Sequence, residues 1–268
     1  MKRGVTKMTL TQEEEVKRII DFARARGVQM RVIGGLAVKI QCPNAQHRSL
    51  ARKYGDIDVV GYKKQRLEIM QALEEIGYIP NRRFNSLQGH RRLLFVHPDE
   101  IYDLDIFLDV FTMCHELDFT GRLEIDKYTI PLPDLILSKL QVIELTEKDV
   151  RDIFALLNDH EVGESDDPGV LDVRYIAEVC GKDWGWYKTI TTNVDKVLAL
   201  SDDFLESSKM KDTITSRLQK IKEAILSAPK TMKWKLRSLV GERMRWYDLP
   251  EDMVGDIQEG GAHRGTGE

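Results

Sequence analysis

Residues 11–27, TQEEEVKRIIDFARARG, place Val16, Ile19, Ile20 and Phe22 at helical spacing behind a T-x-x-E start and ahead of a closing glycine. This predicts a helix. MRVIGG follows as a short strand ending in glycines, and LAVKI opens a second helix. Residues 41–55, QCPNAQHRSLARKYG, carry no apolar period and several positive charges, so they predict a loop. DIDVVGY predicts a strand, and KKQRLEIMQALEEIG an amphipathic helix closed by Gly77. RLLFVHP and IYDLDIFLDVF alternate like neighbouring strands, with LEIDKYTIPL as one more. From Pro133 onward the pattern turns helical: PDLILSKLQVIEL, EKDVRDIFALLNDH, DVRYIAEVC, WYKTITTNVDKVLALS, a segment around 204–227, and KWKLRSLVGERMRW. The loop EVGESDDPG at 161–169 divides these helices. The fold class expected is therefore α+β, a mixed β-sheet with flanking helices over residues 1–132 followed by an all-helical domain over 133–254. The glycine-rich end, 255–268, is expected to be disordered.

The chain has 268 residues, of which 42% are hydrophobic and 31% charged, the balance of a globular protein able to bury a sizeable core. No apolar stretch approaches the roughly 20 residues needed to cross a bilayer. The N-terminus meets acids before any continuous apolar run, so a secretory signal is not expected and a cytoplasmic protein is. Cys42, Cys114 and Cys180 are too widely separated for a zinc or disulfide pattern, and no chemistry is assigned to them. The net charge of −4 hides a division. Residues 1–98 hold 19 Lys+Arg against 9 Asp+Glu, and residues 99–180 hold 6 against 21. A basic segment that embeds two acids suits a polyanion held through a divalent cation, and solvated surface charge would give much the same count.

On a strand, Asp56 and Asp58 share one face while Ile57 and Val59 turn to the other, which brings two carboxylates about 7 Å apart along the backbone. Neighbouring carboxylates repel, and a hard cation with oxygen ligands relieves the conflict. In IYDLDIFLDVF, Tyr102, Leu104, Ile106, Leu108 and Val110 form an apolar face with Asp103, Asp105 and Asp109 opposite. That pattern fits a metal site or a solvated edge strand. Gly34 and Gly35 fit a tight turn, or a helix N-terminus open to a phosphate.

Taken in order, "IGG", "DIDVV" and "DLDIF" resemble the nucleotidyltransferase superfamily that includes DNA polymerase β, with its hG[GS], Dh[DE]h and third carboxylate on a separate strand. The stretch LPDLILSKLQVIELTEKDVRDIFALL resembles the region after the core in bacterial nucleotidyltransferase-like proteins of the abortive-infection toxin type. The resemblance spans residues 28–158. It implies a catalytic domain at 1–132 that transfers a nucleoside monophosphate from an NTP, such as ATP, to a hydroxyl acceptor, releasing pyrophosphate. Gly34 and Gly35 would hold the triphosphate, Asp56, Asp58 and Asp105 would be catalytic and bind two Mg²⁺ ions, and Lys139 would contact the nucleotide. Two departures stand out. Twenty residues, 36–55, separate the glycines from Asp56, so a loop is inserted, and Asp103 competes with Asp105 for the third acid, with "LDIF" favouring Asp105. The alternative function is a nucleotidyltransferase-like binding or regulatory module, such as a toxin–antitoxin component.

Several residues carry a structural alternative. Lys139 shares a helix face with Ile136 and Ile143 and would then snorkel to water. Thr146-x-x-Asp149 reads as a capping box, Asp152 is a weaker candidate for the site, and His90 is expected as an ordinary polar strand residue. The acceptor is either RNA or a small hydroxyl-bearing molecule. For RNA the clue is residues 228–249, where Lys230, Lys233, Lys235, Arg237, Arg243 and Arg245 alternate with Trp234, Trp246 and Tyr247. The alternative there is a terminal helix packing Trp234, Leu236, Leu239 and Val240 on the bundle.

Overall fold

The structure is a computed structural model that describes residues 10–45, 50, 52, 55–99 and 101–249. The expected disorder of 255–268 and parts of the 41–55 loop lie outside the described residues. The chain divides into two compact units, each discontinuous in sequence. The first gathers the described residues of 1–40, 54–109 and 120–130, and the second those of 41–53, 110–119 and 131–268. The described residues of 41–53 and the stretch 110–119, both inside the expected 1–132 span, thus group with the helical half.

The first unit begins with helix α1 (Gln12–Arg24), whose Thr11 and Glu14 close the capping box and whose Val16, Ile19, Ile20 and Ala23 are buried. Strand β1 (Met30–Ile33) leads into α2 (Gly34–Gln41), and β2 (Ile57–Gly61) into α3 (Arg66–Glu75). Then come β3 (Ile79–Pro80), α4 (Arg82–Gln88), β4 (Arg92–Val96) and β5 (Asp103–Leu108). The α4 helix is not legible in the hydrophobic pattern, and it leaves His90 exposed in the turn before β4, outside any strand. Strand order is β1-β2-β5-β4-β3, with β2 and β5 parallel and the other pairs antiparallel. Ile57, Val59, Leu104, Ile106 and Leu108 are buried on one face, as alternation requires.

Three expected strands are altered. The D-x-D strand starts at Ile57, so Asp56 stands just before it, exposed. IYDLDIFLDVF is broken at Asp109, whose φ of 63° ends β5. LEIDKYTIPL forms no strand beyond a single bridge between Thr129 and Val32. The cause is local: the Asp126 carboxylate accepts from the backbone N–H groups of Tyr128 and Thr129 and holds a turn.

The second unit carries the hairpin β6 (Val110–Thr112) and β7 (Glu116–Asp118), then α5 (Leu132–Leu140) and α6 (Glu147–Asp159). A parallel pair, β8 (Glu161–Gly163) and β9 (Val170–Asp172), sits at the two ends of the 161–169 loop. Helices α7 (Val173–Lys182), α8 (Trp184–Ala199), α9 (Ser201–Phe204), α10 (Ser208–Ser227) and α11 (Met232–Val240) complete it. Helix α10 buries Ile214, Leu218, Ile221 and Ile225 against α6, α7 and α8. The segment expected as one helix to Trp246 stops at Gly241, whose φ of 60° suits glycine. Leu236 and Leu239 do not pack on the bundle: they are 62% and 79% exposed. All three cysteines are buried and free, and burial pushes their thiols up, away from thiolate chemistry. No helix among the described residues is long and apolar enough to cross a membrane.

His115 is one of the buried titratable groups of this unit. Its ring packs on Trp186 with centroids 4.9 Å apart, Nε2 lies 2.8 Å from Thr189 Oγ1, and burial pushes its pKa down to about 4 against the pull of Asp183 and Asp248. The unfolded chain takes up this proton near pH 6.5 while the native ring stays neutral, so stability should fall as pH drops from about 6.5 towards 4, by up to about 3 kcal/mol. Urea midpoints across that window should fall less steeply in His115→Gln than in the wild type. Parallel losses would assign the titration to other groups.

Candidate active site

Parallel pairing places Asp58 of β2 directly beside Asp105 of β5, so both carboxylates project from the same face of the sheet on strands about 4.8 Å apart. Asp58 is half-buried and Asp105 is buried. Ile33, at the end of β1, pairs with Asp58, so the strand-to-helix turn at Gly34 begins beside the acid. Gly34 has a φ of 74°, and a Cβ built on it would lie 3.0 Å from Asp58 Oδ2. Both facts require glycine there. Gly35 follows in the first turn of α2, where backbone N–H groups are unpaired within the helix.

The sequence did not reveal Arg92. This residue, at the start of β4, donates from Nε to Asp105 Oδ1 at 2.7 Å and from a terminal nitrogen to Oδ2 at 2.9 Å. Its guanidinium also lies 5.1 Å from the centre of the Phe107 ring and 5.7 Å from that of Phe84. The signal was there in RRLLF, where antiparallel pairing with β5 puts Arg92 opposite Phe107, on the acid-bearing face. Asp103 is exposed at the start of β5. Asp109 does not extend the acid face, because its carboxylate accepts from the Lys63 N–H.

Among the described residues, no three His, Cys, Asp or Glu side chains are grouped to hold a metal ion. Asp56, Asp58 and Asp105 do offer the carboxylate oxygens that a hard cation takes, with Asp58 and Asp105 on one face. Both oxygens of Asp105 are engaged by Arg92, so a cation there has to share or displace that guanidinium.

Within the helical unit, Lys139 does not snorkel. Its Nζ lies 2.9 Å from Oδ2 of Asp152, a residue only 2% exposed, and Arg52 donates to the same carboxylate through two bonds of 2.7 and 2.6 Å. Arg52, from the inserted segment, is a second residue that sequence reasoning missed. Asp149 closes the capping box of α6 with Thr146, the structural role weighed for it. Strand, glycine pair, helix, Asp58 strand and Asp105 strand follow one another around a mixed sheet, the element order that the sequence resemblance implies.

No protein-family model and no curated protein matches the chain. Among solved structures, a lincomycin-bound lincosamide antibiotic adenylyltransferase shares 22% identity, covers 55% of this chain and 96% of its own, and has a TM-score of 0.39. An antigenic nucleotidyltransferase-like protein from Paracoccidioides brasiliensis shares 13% identity over 86% of this chain and 96% of its own, with a TM-score of 0.38. A STING-associated c-di-GMP synthase from Capnocytophaga granulosa shares 12% over 80% and 79%, with a TM-score of 0.29. At these scores the reading of the site rests on the chain's own geometry.

Proposed function

We propose that the chain is a nucleotidyltransferase that passes a nucleoside monophosphate from an NTP to a hydroxyl acceptor in the cytoplasm. The observation that carries the reading is the in-register pair Asp58 and Asp105, with the Gly34 turn set against Asp58. The first N–H groups of α2, at Gly34 and Gly35, receive the triphosphate at the positive end of the helix. The acceptor oxygen bonds to the α-phosphorus as the bridging oxygen leaves with its electron pair in pyrophosphate, and Asp105 takes part in removing the acceptor proton. Mg²⁺ held by Asp56, Asp58 and Asp105, two ions in the full set, would neutralise the triphosphate and lower the acceptor hydroxyl's pKa. Lys139 is a phosphate contact, and Arg52 adds a second cation on the same carboxylate. The acceptor is RNA or a small hydroxyl-bearing molecule.

A second reading is favoured by one observation. Arg92 already neutralises Asp105, as expected of a nucleotidyltransferase-like module that binds or regulates without turnover. Incubating the pure protein with labelled NTPs, Mg²⁺ and total RNA separates the two. Label transferred by the wild type supports the enzyme, and nucleotide binding without transfer supports the module.

Asp58→Asn should abolish transfer while leaving the metal-free melting temperature level or raised, because removing one of two in-register acids relieves repulsion. A large drop in melting temperature would give Asp58 a structural role instead.

NTP with Mg²⁺ at about 100 times its Kd should stabilise the wild type by roughly 2.7 kcal/mol in thermal unfolding. Gly35→Val tests the phosphate turn better than a change at Gly34, whose φ of 74° would add strain of its own. The variant should lose the ligand shift, since a branched side chain keeps phosphate from the backbone. Equal shifts in both proteins would remove the phosphate role of the turn.

A further inference from the structure

The helical unit contains a second concavity, of about 840 Å³, within the size range of small-ligand sites. It is built rather than accidental. At its base Asp183 caps α8, accepting from the N–H groups of Gly185 and Trp186, and the Trp184 and Trp186 side chains are buried. A Cβ at Gly185 would lie 2.6 Å from the Trp246 carbonyl oxygen, so only glycine lets the 244–248 segment come this close. That segment is strapped down by two bonds: Trp246 Nε1 donates to Thr189 Oγ1 at 3.1 Å, and the Asp248 N–H donates to the Cys114 carbonyl at 2.9 Å. Arg237 holds the turn between α11 and the segment through the carbonyls of Gly241 and Met244, and its guanidinium lies 4.8 Å from the centre of the Trp184 ring.

With Arg237 committed to the scaffold and Lys182 paired with Glu178 on its own helix, the cations left on the lining are Lys233 and Arg245, both exposed. Lys233 is 84% exposed, and its nearest acid is Asp183 at 3.9 Å. Both N–H groups that Asp183 caps go to Oδ1, and its Oδ2, which faces the Lys233 ammonium, keeps one negative charge on the lining. Glu116 and Asp248, the other acids of the lining, stand in solvent like the cations, and salt screens both signs alike. Trp246 packs edge-on between Trp184 and Tyr247, with centroids at 5.8 and 5.3 Å. The indole N–H of Trp234, also on the lining, is buried with no hydrogen-bond partner. Aromatic rings beside exposed cations suit a flat base joined to a phosphate.

We propose that this cavity binds a nucleobase–phosphate unit at the end of a single-stranded RNA, with the base stacked on the Tyr247 ring beside Trp246, whose plane stands at 81° to it, and the phosphate met by Lys233 and Arg245. Binding here stands apart from the nucleotidyl-transfer reading above. Free nucleotide presents the same chemistry, so AMP forms a second arm of the test. Anisotropy of a labelled short single-stranded RNA is measured on the full chain without Mg²⁺ or NTP, starting at about 50 mM salt.

Wild type and Asp58→Asn should bind equally. The Lys233→Glu, Arg245→Glu double variant should bind at least about ten-fold more weakly, with the slope of log K against log salt reduced by about two. Tyr247→Ala should lose about five-fold or more through stacking, with the salt slope unchanged. RNA binding that AMP does not displace assigns the strand end, while binding of AMP in the same cavity, lost in the double variant, assigns the free nucleotide. The proposal is overturned if neither RNA nor AMP binds at low salt, if the charge-reversed protein binds like wild type, or if Asp58→Asn loses RNA. A wild type that binds RNA through this cavity but transfers no label would leave the cavity standing and sink the transferase reading.

Discussion

Parallel pairing of β2 with β5 is the constraint on which the first unit depends. Two parallel strands cannot be joined by a tight turn, so the chain has to leave β2 after Gly61 and come back alongside it only at Asp103. It uses that interval for α3, β3, α4 and β4. Strand β4 then closes on the far side of β5 in antiparallel register, which delivers Arg92 to the acid-bearing face. Acid pair and guanidinium are therefore products of one topology. In the ligand-free chain Arg92 offsets the repulsion that two in-register carboxylates would otherwise suffer.

The helical unit has its own fixed point at Asp152. A carboxylate 2% exposed is costly to bury unpaired, and here two cations from distant parts of the chain meet it. Arg52 brings the inserted segment to α6, and the same segment is held again where the Asn44 N–H donates to Asp159 and where His160 meets the Gln41 carbonyl. The insertion that lengthens the interval between glycines and acids is thus a structural part of the helical unit. Lys139 and Arg52 both meet this one carboxylate, so a single buried anion ties α5, α6 and the inserted segment together.

Much of this was legible in the sequence where a single local rule governs. The capping boxes at Thr11 and Thr146, the glycine end of α3 at Gly77 and the alternation in β5 each depend on neighbours a few residues away. Legibility failed where a distant or side-chain interaction decides. Asp126 folds a strand-like pattern into a turn, and Asp109 breaks a run whose alternation continues past it. The partners Arg92 and Arg52 were invisible because pairing register and a contact across 100 residues set them, and neither leaves a periodic trace. The basic and aromatic residues of 228–249 stand out in the sequence as an RNA clue, and the alternative, a helix packing Leu236 and Leu239, fails in the structure. In fact Gly241 ends the helix early, and the exposed leucines follow from a chain that turns back over α8.

The glycine pair and the D-x-D strand, which look like separate motifs in sequence, are one steric problem. Ile33 pairs with Asp58, so the chain has to turn into α2 within one residue of the acid. The turn needs a left-handed residue, and the space a side chain would fill already contains Asp58 Oδ2 at 3.0 Å. An alanine at 34 would be strained in backbone and would press on the carboxylate. A smaller residue at 58 would relieve that pressure but remove the charge that faces the helix N-terminus. Glycine at 34 and aspartate at 58 therefore constrain each other in the folded chain, whatever the site binds, and the spacing between them in sequence is free to grow because the sheet, and not the loop, sets their distance.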